Sequence, residues 1–153
     1  MTIEILQTHS LLASCEEALA ARYTVHKLHE MTDKDAWLAE NGPRIRAHAG
    51  SGVQADLMDK LPNLEIIASF GVGYDHVDAR WAGEHGIVVT NTPEVLNEEV
   101  ADTALGLLLC TVREFPQADR YLRAGKWPGA QYPLTNATLR NRTVGMVGMG
   151  RIG

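Results

Sequence analysis

Apolar residues recur along the first ninety positions in short runs, separated by stretches whose spacing is helical. Ile3–Leu6 reads as a strand, and Ser10–Arg22 as a helix carrying Leu11, Leu12, Cys15, Ala18 and Leu19 along one face. Thr24–Leu28 reads as a second strand. Thr32–Glu40 is expected as a helix, with Thr32 as its N-cap and Asn41-Gly42-Pro43 as its stop. Ile45–Ala49 is a weaker strand, broken at Gly50-Ser51-Gly52. Val53–Lys60 is a short helix ended by Pro62, and Leu64–Ser69 a continuous apolar strand with Glu65 as its one charge. Val77–His85 reads as a helix and Ile87–Thr90 as a strand. Such alternation predicts a parallel sheet with helices over both faces.

The pattern changes after Asn91-Thr92-Pro93. A long helix is expected from Asn97 to about Phe115, with Glu98 and Glu99 in its first turn, where carboxylates suit the helix dipole. Leu105, Leu107, Leu108, Leu109 and Val112 make it apolar nearly all round, which predicts burial between domains or subunits. Gln117–Ala124 is a further helix ending at Gly125. Residues 125–142, with Pro128, Pro133 and Asn136, read as a loop. Thr143–Val147 then reads as a buried strand leading into Gly148-Met-Gly-Arg-Ile-Gly153, a G-x-G-x-x-G loop. In such a loop Gly148 makes the tight turn and Gly150 lets backbone approach a pyrophosphate. Gly153 allows close packing of a following helix, whose N-terminus receives the phosphates. The sequence stops before that helix.

Composition narrows the classes. With 153 residues, 45% apolar and 22% charged, the chain suits a globular protein. The net charge of −5 is uneven: residues 1–110 hold seven Lys/Arg against seventeen Asp/Glu, and residues 111–153 seven against two. A basic end beside a phosphate loop favours an anionic cofactor, although Arg120, Arg123 and Arg140 read as solvated surface charges. No charge run with interleaved aromatics points to nucleic acid. Cys15 and Cys110 sit in apolar helical patterns and are expected as buried free thiols of a reducing compartment. The N-terminus lacks a signal-peptide pattern, and the most apolar stretch, Ala104–Val112, is too short to span a bilayer. A cytoplasmic protein without a membrane span is expected.

A second glycine loop, Ser69-Phe-Gly-Val-Gly-Tyr-Asp75, follows the apolar strand directly. Two glycines around one residue let successive backbone amides converge on an anion. This loop stands about 75 residues upstream of the dinucleotide loop, with Asn91-Thr-Pro-Glu-Val-Leu-Asn-Glu-Glu-Val-Ala-Asp-Thr-Ala-Leu-Gly-Leu107 between them. With Arg123-Ala-Gly-Lys-Trp127 and Leu139–Gly153, this resembles the NAD(P)-dependent D-isomer-specific 2-hydroxyacid dehydrogenases, in the branch of glyoxylate/hydroxypyruvate and hydroxyphenylpyruvate reductases.

The resemblance covers essentially the whole chain and implies an α/β fold. A flavodoxin-like parallel-sheet substrate domain over residues 1–96 would be followed by the opening of a Rossmann coenzyme domain over 97–153. That second domain would comprise the long helix and a first strand, truncated after the glycine loop. It implies an oxidoreductase that reduces small 2-oxo acids to D-2-hydroxy acids. Val72 and Gly73 would offer amides to the substrate carboxylate, and Leu96 would line the cleft between domains. Thr103, Gly148, Gly150, Arg151, Ile152 and Gly153 would border the cofactor. That cofactor would be NAD or NADP, with NADP slightly favoured and the deciding residue outside the chain. A homodimer through the 97–115 helix is implied. The family's catalytic Arg, Glu and His would lie beyond Gly153, so the chain as written is expected to be inactive, with no catalytic residue of its own.

The chain's own titratable groups offer little in their place. His9, His26, His29, His48, His76 and His85 are scattered, without metal-ligand spacing. His76, beside the Gly71–Gly73 loop, is the one with a positional claim, although it reads first as a polar residue opening a helix. Asp75 reads as that helix's cap. Asp102 and Arg113 on the long helix are expected to pair or to face solvent. Two other readings stand beside the reductase. One is a non-catalytic binding or dimerisation module that keeps the carboxylate loop. The other is a different Rossmann enzyme with a related two-domain plan, since fold alone does not fix chemistry.

Overall fold

A computed structural model describes residues 2–153. The chain divides into two compact units, Met1–Val95 and Leu96–Gly153. The first is built on five strands: β1 (Glu4–Gln7), β2 (Thr24–Lys27), β3 (Ile45–Gly50), β4 (Ile66–Ser69) and β5 (Val88–Thr90). All four pairings are parallel, in the order β2-β1-β3-β4-β5. The flavodoxin-like order expected from the resemblance is therefore present. Four helices connect the strands: α1 (Ala13–Ala20), α2 (Lys34–Asn41), α3 (Ala55–Met58) and α4 (Ala79–Glu84).

Burial follows the register. Leu6, His48 and Ile67 are aligned across β1, β3 and β4 and point into one core. That core is completed by Leu38, Val53, Met58, Leu61, Val77 and Ala82, from α2, α3, α4 and the connecting segments. Each fully buried large side chain contributes about 1.5–3 kcal/mol. The opposite face carries Ile5, Gln7 and Ala49, which are buried, but also Ile66 and Val88, which are 36% and 56% exposed. Helices thus lie over both faces, as expected, but they cover them unequally. Right-handed crossovers in this strand order put α1 on one face and α2, α3 and α4 on the other. The α1 face therefore stays open over β4 and β5.

Local chemistry shifts several element ends. Asp33, not Thr32, caps α2, its carboxylate accepting from the Ala36 amide at 3.0 Å. Asp78, not Asp75, caps α4 by accepting from the Trp81 amide at 3.0 Å. Thr32 and Asp75 stand one and three positions before these caps, and a cap works only where its side chain can reach the amides of the first turn. The segment with the weaker strand pattern, β3, is the longest of the described strands and has neighbours on both sides.

In the second unit, α5 (Asn97–Arg113) and α6 (Phe115–Arg123) meet at Glu114, which adopts a left-handed conformation with φ 56°. Glu114 accepts a hydrogen bond from the Tyr132 hydroxyl at 2.7 Å, and Arg113 donates to the Ala137 carbonyl at 3.1 Å. These contacts hold the 125–142 loop to the helices. No residue of α5 is buried within this chain: Leu105 and Leu107 are 57% and 61% exposed. One expectation fails here: Thr143–Val147 is not a strand. A strand exists only through bonds to a neighbouring strand, and none of the described residues supplies one to this segment. The thiols of Cys15 and Cys110 are free but half-buried rather than buried. No described helix is long and apolar enough to cross a membrane.

Candidate functional site

The carboxyl ends of parallel strands gather loops on one edge of the sheet, where α/β proteins place their ligands. Here β1 delivers Thr8 and His9, β3 delivers Ser51, β4 delivers Phe70–Tyr74, and β5 delivers Asn91 and Thr92. The Ser69–Asp75 segment turns directly out of β4. The Phe70 amide donates to the Gly50 carbonyl at 3.2 Å, and the Thr92 amide to the Gly71 carbonyl at 2.9 Å. Asn91 donates through Nδ2 to the Val72 carbonyl at 2.7 Å. The glycine loop is thus tied to β3 on one side and to the exit of β5 on the other.

Val72 and Gly73 are exposed. Neither Gly71 nor Gly73 has a left-handed φ. A Cβ built on Gly73 would meet nothing nearer than Asp75 Oδ2, at 3.5 Å, an ordinary contact. Packing inside the chain therefore does not demand glycine at 73. His76 lies beside the loop, half-buried, its Nε2 3.1 Å from Ser69 Oγ. Its carbonyl accepts from Gln54 Nε2 at 2.8 Å, so His76 serves to join the loop to the start of α3.

Beside this loop the structure assembles a cluster that sequence spacing did not reveal. Parallel pairing of β1 with β3 sets Leu6 opposite His48 and Gln7 opposite Ala49. Thr8 Oγ1 then donates to the Ser51 carbonyl at 3.0 Å and lies 3.1 Å from His48 Nε2 and 3.2 Å from His9 Nδ1. Since the Thr8 proton goes to Ser51, His48 is the donor to Thr8 and carries its hydrogen on Nε2. His48 is 1% exposed, and its Nδ1 has no partner among the described residues. Burial, with repulsion from His9 added, pushes His48 down to about 4. His48 is accordingly a neutral structural donor at neutral pH. Its sequence signal was modest, a histidine within an Ala/Gly-rich strand end opposite Thr8-His9.

A second polar knot sits under the same edge. Glu16 accepts from Lys27 Nζ at 2.7 Å, the Leu11 amide at 2.9 Å and Gln7 Nε2 at 2.8 Å, which together hold its carboxyl at about 2. This fixes α1 against β1 and β2.

In the second unit the G-x-G-x-x-G loop is irregular and exposed. Gly148 adopts φ +91°, a conformation that favours glycine, as the tight-turn role requires. A Cβ on Gly150 would meet nothing within 4 Å. A Cβ on Gly153 would stand 2.8 Å from the Gly148 carbonyl, so that position is closed to side chains by the loop itself. Thr103 is exposed, and its hydroxyl donates to the Glu99 carbonyl at 2.7 Å within α5. Leu96 occupies the N-cap position of α5 and is 50% exposed.

A family model described as the D-isomer specific 2-hydroxyacid dehydrogenase catalytic domain matches residues 5–147. The chain belongs to this family. Among its 2-hydroxyacid dehydrogenase relatives, glyoxylate/hydroxypyruvate reductase A of Arabidopsis thaliana is 39% identical, over 99% of this chain and 49% of the relative. The hydroxyphenylpyruvate reductase of Plectranthus scutellarioides is 38% identical over the same shares. A solved 2-hydroxyacid dehydrogenase is also similar: the NADPH-dependent glyoxylate/hydroxypyruvate reductase of Sinorhizobium meliloti, in complex with NADP and malonate. It superposes with a TM-score of 0.86 at 42% identity, covering 100% of this chain and 48% of that one. The chain spans about half the length of these relatives.

Proposed function

We propose that this chain supplies the substrate-carboxylate site and the opening of the cofactor site of a reductase of small 2-oxo acids, such as glyoxylate or hydroxypyruvate. In this reading residues 1–96 form the substrate domain and 97–153 open the coenzyme domain. The observation that carries it is the exposed Val72–Gly73 pair, on the ligand-bearing edge of the sheet. Its glycine is not needed by the chain's own packing. Space that no internal contact requires is space available to a ligand, and amides bind a carboxylate without the desolvation cost of a buried cation.

Val72 and Gly73 bind and orient the carboxylate, and Leu96 borders the substrate. The residues at the second loop fit a dinucleotide. Gly148 has the turn's left-handed backbone, and Gly150 leaves its backbone open to close approach. Thr103, Gly148, Gly150, Arg151, Ile152 and Gly153 would hold NADP or NAD there. The NADPH dependence in the name of the Sinorhizobium relative favours NADP. When bound, the nicotinamide supplies the hydride. In this reading the family's acid/base His, its Glu and the substrate Arg lie outside residues 1–153. These residues expressed alone are therefore expected to show no turnover with NADPH or NADH.

The test uses the full-length protein with glyoxylate or hydroxypyruvate and NADPH. Gly73→Val, whose Cβ makes only an ordinary contact within the chain, fills the cradle and should raise KM at least about tenfold, the loss of binding shared by ground and transition states. An unchanged KM would mean that the turn is only structural. Turnover by residues 1–153 alone above a mock purification would overturn the placement of the acid/base groups.

We infer in addition that α5 pairs with a second copy. Leu105 and Leu109, one turn apart on one face of it, are exposed, as are Val100 and Leu107 on the other, and uncovered apolar surface marks an association site. A non-catalytic dimerisation module would also keep α5. The left-handed Gly148 favours the reductase reading, since such a module has no use for that turn.

A further inference from the structure

We propose that His76 is a positioning residue of the carboxylate cradle and that its proton strengthens the cradle's hold on an anion. The proposal rests on the reading that the Val72 and Gly73 amides receive the substrate carboxylate.

His76 closes the loop that carries those amides. Ser69 is the last residue of β4 and is 4% exposed, residues 70–75 form the loop, and His76 follows it. The imidazole Nε2 stands 3.1 Å from Ser69 Oγ, which joins the two ends of the loop. Backbone on the far side of the ring is fixed as well. The His76 carbonyl accepts from Gln54 Nε2 at 2.8 Å. Val77, 5% exposed, bridges Val53 and donates its amide to the Tyr74 carbonyl at 2.9 Å. The ring thus has a fixed root and a bonded tip. It also borders the turn itself: a Cβ on Gly71 would stand 4.0 Å from His76 Cε1. Glycines at 71 and 73 leave the loop's torsions wide freedom, and affinity falls in proportion to the fraction of time spent binding-competent. A clasp between the loop's ends narrows that freedom.

A histidine clasp can also change charge, because this side chain ordinarily titrates between about pH 5 and 8. The imidazolium keeps the clasp, donating from Nε2 to Ser69 Oγ, and sets a positive charge beside the turn. A carboxylate on the 72 and 73 amides is then held about three- to fivefold more tightly, the worth of a partly exposed ion pair. Linkage is reciprocal, so the bound carboxylate holds the His76 proton by the same factor. Few other charges compete. β4 presents Ser69, the approach to α3 Gln54, and the exit of β5 Asn91 and Thr92, all uncharged. In α3 the one charge, Asp56, accepts from the Leu57 amide at 2.9 Å. Before and within α4, Asp78 accepts from the Trp81 amide at 3.0 Å, and Arg80 pairs with Glu84 at 3.0 Å. The loop adds Tyr74 and Asp75, both exposed; Asp75 is the carboxylate that a ligand would meet as a like charge.

The experiment uses the 153-residue chain, isotope-labelled, with sodium oxalate as probe at intervals from pH 8 to 5.5, where oxalate keeps both charges. Readouts are the Val72 and Gly73 amide resonances and the His76 ring resonances. Wild type should bind about three- to fivefold more tightly at pH 5.5 than at pH 8. His76→Gln, whose amide can keep the bond to Ser69 but takes up no proton, should match wild type at pH 8 and lose that gain. His76→Ala should be roughly three- to tenfold weaker already at pH 8, the worth of one net hydrogen bond. Asp75→Asn should keep the wild-type pH dependence. Independently of any variant, saturating oxalate should move the His76 ring titration of wild type to higher pH. An equal pH dependence in wild type and His76→Gln, a ring titration that oxalate leaves in place, or wild-type affinity in His76→Ala at pH 8 overturns the proposal and leaves the cradle standing. If wild type shows no saturable displacement of the Val72 and Gly73 amides at any pH, the cradle reading itself falls and the role of His76 with it.

Discussion

His48 should make the stability of this fold depend on pH across the mildly acidic range. Its imidazole is 1% exposed, donates from Nε2 to Thr8, and keeps Nδ1 without a partner among the described residues. Protonation would place a charge, and an N–H without an acceptor, inside the core. That is why burial, with His9 nearby, lowers it from 6.5 to about 4. Between these values the unfolded chain holds the extra proton and the folded chain does not. Stability is then complete above pH 6.5 and is lost as pH falls towards 4. Two and a half pKa units correspond to about 3 kcal/mol by pH 4, of which about 1 kcal/mol is already gone at pH 5.5. The assay is urea unfolding at intervals from pH 7.5 to 4, for wild type and for His48→Gln. Glutamine can place its own Nε2 where it donates to Thr8 and does not titrate. Subtracting the two curves removes the other five histidines and the carboxylates, whose losses begin lower; the Glu16 contribution fades only below about 4.5. A flat difference between pH 7.5 and 4.5 would show that His48 is not held neutral and that the reasoning from its burial is wrong.

Other outcomes follow from single contacts. Gly42 is buried, and a Cβ there would strike the Lys60 carbonyl. Gly42→Ala should cost about 1–3 kcal/mol in urea unfolding. Gly83→Ala in α4, where nothing lies within 4 Å, should gain about 0.5–1 kcal/mol; the reverse ranking would discredit the packing around α4 and the Lys60 carbonyl. Leu105→Lys with Leu109→Lys should convert a dimer to monomer by light scattering, without shifting the resonances of residues 4–90. A wild type that is monomeric at hundreds of micromolar would remove the α5 pairing. Gly73→Val should leave the unfolding midpoint within about 1 kcal/mol of wild type, as expected of a surface position with no special contact; a large loss would show that glycine at 73 serves the fold.

Much of the architecture was legible along the chain because its causes are local. Apolar runs at β1, β4 and β5 and the helical spacing between them are properties of adjacent residues, as are the two glycine loops and the break at Asn91–Pro93. Element ends were less legible. Thr32 and Asp33 offer the same capping chemistry one position apart, and backbone geometry chose Asp33. The family resemblance rests on motifs, so it too is open to the sequence alone, and it points to Val72–Gly73.

What only the tertiary structure decided depends on residues far apart in sequence. Parallel pairing of β1 with β3 carries Thr8 to His48, 40 positions away, and turns two scattered histidines into one hydrogen-bonded cluster. The β4–β5 pairing brings Asn91 onto the Val72 carbonyl, 19 positions away, giving the glycine loop an orientation that its own residues do not specify. The strand order leaves the α1 face open over β4 and β5, so Ile66 and Val88 stay exposed although their runs read as buried. Thr143–Val147 shows the same principle from the other side. Its apolar pattern is a strand's, but hydrophobicity only proposes a strand. Ladder hydrogen bonds to a neighbour make one, and no described residue provides them here.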